Sequence, residues 1–104
     1  MTVMCGGVGD ARDATVEVQQ IADSVKSYVE HSVSSHKKEK LHPYKAVSYK
    51  SQVVAGVNYF IKMEIDGGKE YLHLRVHRPL GENPTPVFAR HQEAHSKESD
   101  LSYF

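Results

Sequence analysis

A chain of 104 residues suffices for one small domain with a modest core, and is too short for a deep cavity between domains. Apolar residues make up 39% and charged ones 25%, the balance of a globular rather than a disordered chain. Lysine plus arginine and aspartate plus glutamate stand at 13 each, which argues against a partner held by phosphate contacts and against attachment to anionic membranes.

Residues 1–12 are rich in glycine and short side chains and read as an extended arm on a single domain spanning 1–104. They show neither the basic start nor the apolar run of a signal peptide. The one cysteine, Cys5, rules out an internal disulfide and suits a reducing compartment. No stretch approaches a membrane span. The expectation is a cytoplasmic protein, free to reach the nucleus by diffusion.

From about Ala14 to Ser35, Val18, Ile21, Ala22, Val25, Tyr28 and Val29 recur at three- and four-residue steps, which predicts one long amphipathic helix. Asp13 or Thr15 can cap it, Glu17 suits its first turn, and His36, Lys37 and Lys38 suit its far end. Strand alternation follows over Tyr44–Ser51 and Val57–Ile65. In the second run Tyr59, Ile61, Met63 and Ile65 share a face with Val57, leaving Asn58, Phe60, Lys62 and Glu64 on the other. Asp66–Gly67–Gly68–Lys69 is a hairpin turn. The next strand points Leu72, Leu74 and Val76 inward, and Tyr71, His73, Arg75 and His77 outward. Three prolines keep the loop from Pro79 to Pro86 out of any ladder. Val87–Phe88–Ala89 begins a last strand, and Leu101–Phe104 extends the sheet's edge. The predicted class is α+β, one long helix with an antiparallel sheet wrapped on it.

The most informative stretch is Gln52–Val53–Val54–Ala55–Gly56, between the first two strand runs. A hairpin tip there would carry two exposed valines, each forgoing about 1.5–3 kcal/mol of burial. A partner with an apolar groove would account for such a tip. Alternatively Val53 and Val54 are ordinary strand residues and the turn lies elsewhere. Gly56 permits the positive φ that a tight turn needs.

Enzymatic chemistry has little to stand on. Cys5 lies in a glycine-flanked arm with nothing to fix a base beside it. Asp66–Gly67–Gly68 precedes no helix that would cradle phosphate. His73 and His77 share a strand face but stand about 13 Å apart at strand rise. His91 and His95 would need a helical segment to chelate, against Pro86 and the strand-like Val87–Phe88. Neither a metal nor a cofactor is expected.

The run Lys45–Lys62, together with Met4–Cys5–Gly6–Gly7, His73–Leu74–Arg75–Val76 and Leu101–Ser102–Tyr103–Phe104, resembles the cystatins, specifically the intracellular stefins of the cystatin A and B type. Ile21–Lys26 adds to the resemblance and is closest to cystatin B. The resemblance covers nearly the whole chain and implies a helix cradled by a curved antiparallel sheet. It also implies a reversible, tight-binding inhibitor of papain-like cysteine proteases (cathepsins), which occludes the cleft without catalytic residues. Carried over by position, the protease-binding residues are Val3, Met4, Cys5, Gly6 and Gly7 in the arm, Gln52, Val53, Val54, Ala55 and Gly56 in a first loop, and Leu80 and Gly81 in a second. Stefins commonly show a Leu-Pro pair in the second loop. Here Pro79 precedes Leu80 and Gly81 follows, one residue shorter, so the resemblance does not fix where Leu80 sits.

The physical sense is independent of the name. An extended arm ending in Val3 and Met4 can mimic a bound peptide, and Gly6 and Gly7 let the chain turn away before a scissile bond is presented. The alternative from another class is a non-inhibitory interaction module on the same scaffold. A monomer is expected, with exchange of the helix and its neighbouring strand between copies as a route to swapped dimers.

Overall fold

Thr15 begins the helical region in the way its side chain allows. Its backbone is extended and its hydroxyl accepts a hydrogen bond from the Val18 amide at 3.1 Å, so Thr15 and not Asp13 is the cap. In this computed structural model, which describes residues 10–33, 37, 39–94, 96–101 and 104, two helical segments follow: α1 (Val16–Ser24) and α2 (Lys26–Ser32). The single helix expected over 14–35 is interrupted at Val25. The Ser24 hydroxyl donates to the Ile21 carbonyl at 2.7 Å, and the Val25 amide turns instead to Ala22 and Asp23. A serine side chain competing for a helical carbonyl is a recognised cause of such a break.

The helical stripe is buried as its spacing predicts, with one exception. Val18, Ile21, Ala22, Val25 and Val29 are all 4% exposed or less, whereas Tyr28 is 62% exposed. Val29 keeps the stripe's phase across the interruption, and Tyr28, one residue before it, falls at the stripe's edge and stands outside. Gln19 fastens the helix to the sheet, donating to the Tyr44 carbonyl at 3.1 Å and accepting from the Ala46 amide at 2.7 Å. The Tyr44 hydroxyl donates to the Ala22 carbonyl, and burial raises its pKa above the usual phenol range.

Five antiparallel strands follow in chain order across the sheet: β1 (Arg12–Asp13), β2 (Lys45–Val54), β3 (Gly56–Ile65), β4 (Glu70–Arg78) and β5 (Val87–Ala94). A 3-10 turn, Asp66–Gly68, joins β3 to β4 where the hairpin was predicted. The β2–β3 hairpin is tighter. Val53 pairs with Val57 and Val54 with Gly56, so the bend falls at Ala55. Gly56 adopts φ +98°, and a Cβ placed there would lie 2.3 Å from the Arg78 carbonyl oxygen.

On its inner face the sheet packs Tyr59, Ile61, Met63, Ile65, Leu72, Leu74 and Val76 against the helical stripe. The outer face departs from expectation. Asn58, Phe60, Lys62 and His73, which alternation turns away from the helix, are 7% exposed or less. Residues after β5 lie against Phe60, Lys62 and His73, while Asn58 is held between Gln52 and His77. Lys62 donates to the carbonyls of Lys97 and Ser99, Arg75 donates to the Phe104 carbonyl at 2.9 Å, and Phe104 stacks edge-on against Phe60 at 5.9 Å. Leu101 is buried, and neither it nor Phe104 extends the sheet's edge. At the opposite end of the core, Lys37 and Lys40 converge on Glu70, and the pairing holds the Glu70 carboxyl below its ordinary range.

His73 is the weak point of this packing, because its imidazole is buried without a well-formed hydrogen bond on either nitrogen among the described residues. Burial first, and the Lys62 charge second, push its pKa down, with Gln92 and Asp100 pulling partly the other way. A lowered histidine pKa means that the unfolded chain takes up the proton first. Stability should therefore fall as pH drops below the unfolded value near 6.5, by about 1.4 kcal/mol for each unit of lowering. Melting temperatures at pH 7.5 and 5 should show this fall, and His73→Leu should flatten it. An equal fall in the variant would remove His73 as the cause. Gly56→Ala should lower the denaturant midpoint by the equivalent of about 1–3 kcal/mol, through the positive φ and the clash with Arg78 together. A midpoint equal to that of the parent would mean that the hairpin relaxes freely.

Candidate functional site

The tip of the β2–β3 hairpin carries apolar side chains because its last strand residues are valines. Val53 is 58% exposed, Val54 half-buried and Ala55 exposed. The turn does lie here, so Val53 and Val54 close the strand beside the bend. Gln52 behaves differently from its neighbours. It points to the outer face, is 6% exposed, and accepts a hydrogen bond from the Asn58 amide at 2.8 Å.

The chain leaving β4 comes alongside this tip. Arg78 ends the strand, Pro79 stops the ladder, and Leu80 stands out at 77% exposure, followed by Gly81. Contact of the Gly56 backbone with Arg78 and Pro79 brings the two loops together. Between them lies an open groove of about 430 Å³ lined by Val53, Val54, Gly56, Val57, Arg78, Pro79, Leu80, Gly81 and Pro84. The second loop thus sets Leu80 across the groove from Val53 and Val54.

Of the arm, Val3, Met4, Cys5, Gly6 and Gly7 lie outside the described residues. The described chain nearest to them is informative. Arg12 pairs with Tyr49 and Asp13 with Ser48, antiparallel to β2. Read backwards, this strand travels along β2 toward its Val54 end.

Arg78 is the charged residue in the groove's lining. Its guanidinium lies 5.6 Å from the centre of the Tyr59 ring and 3.6 Å from Glu17. Burial raises the Tyr59 phenol's pKa, which Arg78 partly opposes, so the ring stays uncharged at neutral pH. Among the described residues the lining contains no nucleophile, no general base and no metal ligand. Such a surface can fill an apolar trench and cannot carry out chemistry. His91, considered earlier as a ligand, lies on strand β5 with its ring 2.6 Å from the Ser32 hydroxyl.

Two residues under the tip escaped the sequence reading. Asn58 is buried opposite Gln52, and its carbonyl oxygen accepts from the His77 ring at 2.8 Å. Alternation assigned both to a solvent-facing side. The available signal was symmetry: Gln52 and Asn58 stand equally far from the bend, where a cross-strand amide pair can form.

The model of the family described as the cystatin domain matches residues 6–79. The chain is 43% identical to cystatin-A of Mus musculus over 99 residues, covering 95% of this chain and 97% of that protein. It is 44% identical to cystatin-B of Pan troglodytes and 43% identical to cystatin-B of Homo sapiens, each over 104 residues, covering 98% of this chain and all of the relative. Among the described residues no helix is long and apolar enough to cross a membrane. The α+β fold, the paired apolar loops and near full-length similarity agree: this chain belongs to the cystatin family, among the stefins, a family of cysteine-protease inhibitors and not of enzymes.

Proposed function

We propose that this protein is a reversible, tight-binding inhibitor of papain-like cysteine proteases, cathepsins among them, and acts by filling the active-site cleft. The observation that carries the reading is the juxtaposition of Val53 and Val54 at the tip with Leu80 across one largely apolar groove that holds no nucleophile among the described residues. Family membership supports the choice of target. On this reading Val53, Val54 and Ala55 enter the cleft from one loop and Leu80 and Gly81 from the other. Gln52 and Gly56 act from beneath, by holding the first loop in shape.

The arm completes the wedge. The start of β1 pairs nearer the Val54 end of β2 than its finish does, which supports a wedge in which Val3 and Met4 occupy substrate pockets and Gly6 and Gly7 pass the catalytic thiolate without presenting a bond for cleavage. Loops already in shape lose little entropy on docking, so a modest contact area suffices for tight binding. The protein works as a monomer, and an exchange that straightened the Gln52–Gly56 hairpin would destroy the wedge. Its lone cysteine and its stefin relatives suit the cytoplasm, with the nucleus within reach.

Titration of active papain with the protein should abolish peptidase activity below micromolar concentration. Full activity at that concentration would leave only the interaction-module alternative. Val53→Asp should raise the inhibition constant about a hundredfold, since it forfeits apolar burial and forces a carboxylate out of water. The circular dichroism spectrum should not change, because the position is exposed. Removing residues 1–6 should weaken inhibition chiefly through faster dissociation, as stopped-flow kinetics would report. Unchanged dissociation would take the arm out of the contact.

A further inference from the structure

Gln52, Asn58 and His77 form one row across β2, β3 and β4, each the register partner of the next. The Asn58 side chain spends both ends of its amide on this row. Its nitrogen donates to the Gln52 carbonyl oxygen at 2.8 Å, and its oxygen lies 2.8 Å from His77 Nδ1. An amide oxygen only accepts, so His77 Nδ1 carries the hydrogen, which it does in either charge state. Gln52 and Asn58 are 6% and 7% exposed. Polar groups so buried are held in fixed geometry, because each broken link leaves a group cut off from water.

The row sits at the root of both loops. Gln52 directly precedes the Val53–Ala55 tip. His77 directly precedes Arg78, whose carbonyl faces Gly56, and the His77 ring itself comes within 3.1 Å of the place a Gly56 Cβ would take. Backbone pairing joins the hairpin to the β4 end at Val57 and Arg78. The side-chain row ties the two through the middle strand.

We infer that Asn58 is the positioning residue of the wedge, holding the two loops in one relative orientation before a protease is met. This inference rests on the inhibitor reading and deepens it, since it assigns a role to a residue outside both loops. Without the row the loops would pay an ordering cost on binding, and the complex would dissociate faster.

The experiment compares the parent with Asn58→Leu and Asn58→Asp, measuring papain inhibition at 25 °C and amide hydrogen exchange at Val54 and Leu80. Asn58→Leu keeps the size and removes both links. It should raise the inhibition constant about tenfold or more, mainly through dissociation, and speed exchange at the tips. Asn58→Asp keeps the acceptor for His77 and loses only the donor to Gln52, so inhibition should be weakened less than in Asn58→Leu. Circular dichroism at 25 °C establishes that each variant is folded, and a merely structural loss then leaves the inhibition constant unmoved. If Asn58→Leu does not fold, His77→Leu breaks the same row from the other side and should show the same pattern. Parent-like inhibition and exchange in the folded leucine variant would overturn the inference. A parent that fails to inhibit papain would instead sink the inhibitor reading, and the exchange rates would still decide whether the row orders the loops.

Discussion

The two loops of this protein stand side by side because β3 and β4 stay paired up to Val57 and Arg78 and because Gly56, just beyond that pair, has no side chain. Its backbone lies against the Arg78 carbonyl and Pro79, at a distance that no other residue could occupy without displacement, and at a φ that side chains disfavour. The pairing and this close approach together turn two hairpin ends into one surface. The tip valines and Leu80 then face outward together, while Gln52 and His77 anchor the surface from the sheet's other side. An occluding inhibitor needs this kind of rigidity. With no chemistry to perform, its affinity comes from apolar area presented without a large ordering cost.

The sheet that carries the loops is covered on both faces. Helical residues cover one side, and Lys97, Ser99 and Phe104 contribute cover on the other. A lysine, Lys62, lies in the second layer, where its ammonium is satisfied by backbone carbonyls, and burial lowers its pKa. Charged and ring groups meet there too, with Arg75 over Phe60 and Phe104 near His73. Such packing makes the central strands stiff and gives the loops a firm base. It also places a titratable ring, His73, where burial disfavours its charged form.

Much of this was legible in the chain itself, for definite reasons. The helical stripe, the inward faces of β3 and β4, the Asp66–Gly68 turn and the apolar tip all follow from local periodicity and from residues with strong conformational preferences. Those are properties of neighbouring residues, and neighbouring residues are adjacent in the sequence. The break at Val25 was harder to foresee, since a serine hydroxyl taking the Ile21 carbonyl competes narrowly with an ordinary helical turn.

What remained hidden required knowledge of which distant segments meet. Alternation marks Asn58, Phe60, Lys62 and His73 as the second face of their strands, and a second face is exposed unless another segment lies over it. Only the tertiary structure brings Phe104 onto Phe60, sets Leu80 beside Val53, and aligns Gln52, Asn58 and His77 across three strands. The amino-acid order by itself determined the elements and the apolar tip, because both arise within a few residues of chain. The two-sided core and the joined loops were decided by packing between segments far apart in sequence, where no local pattern records the partner.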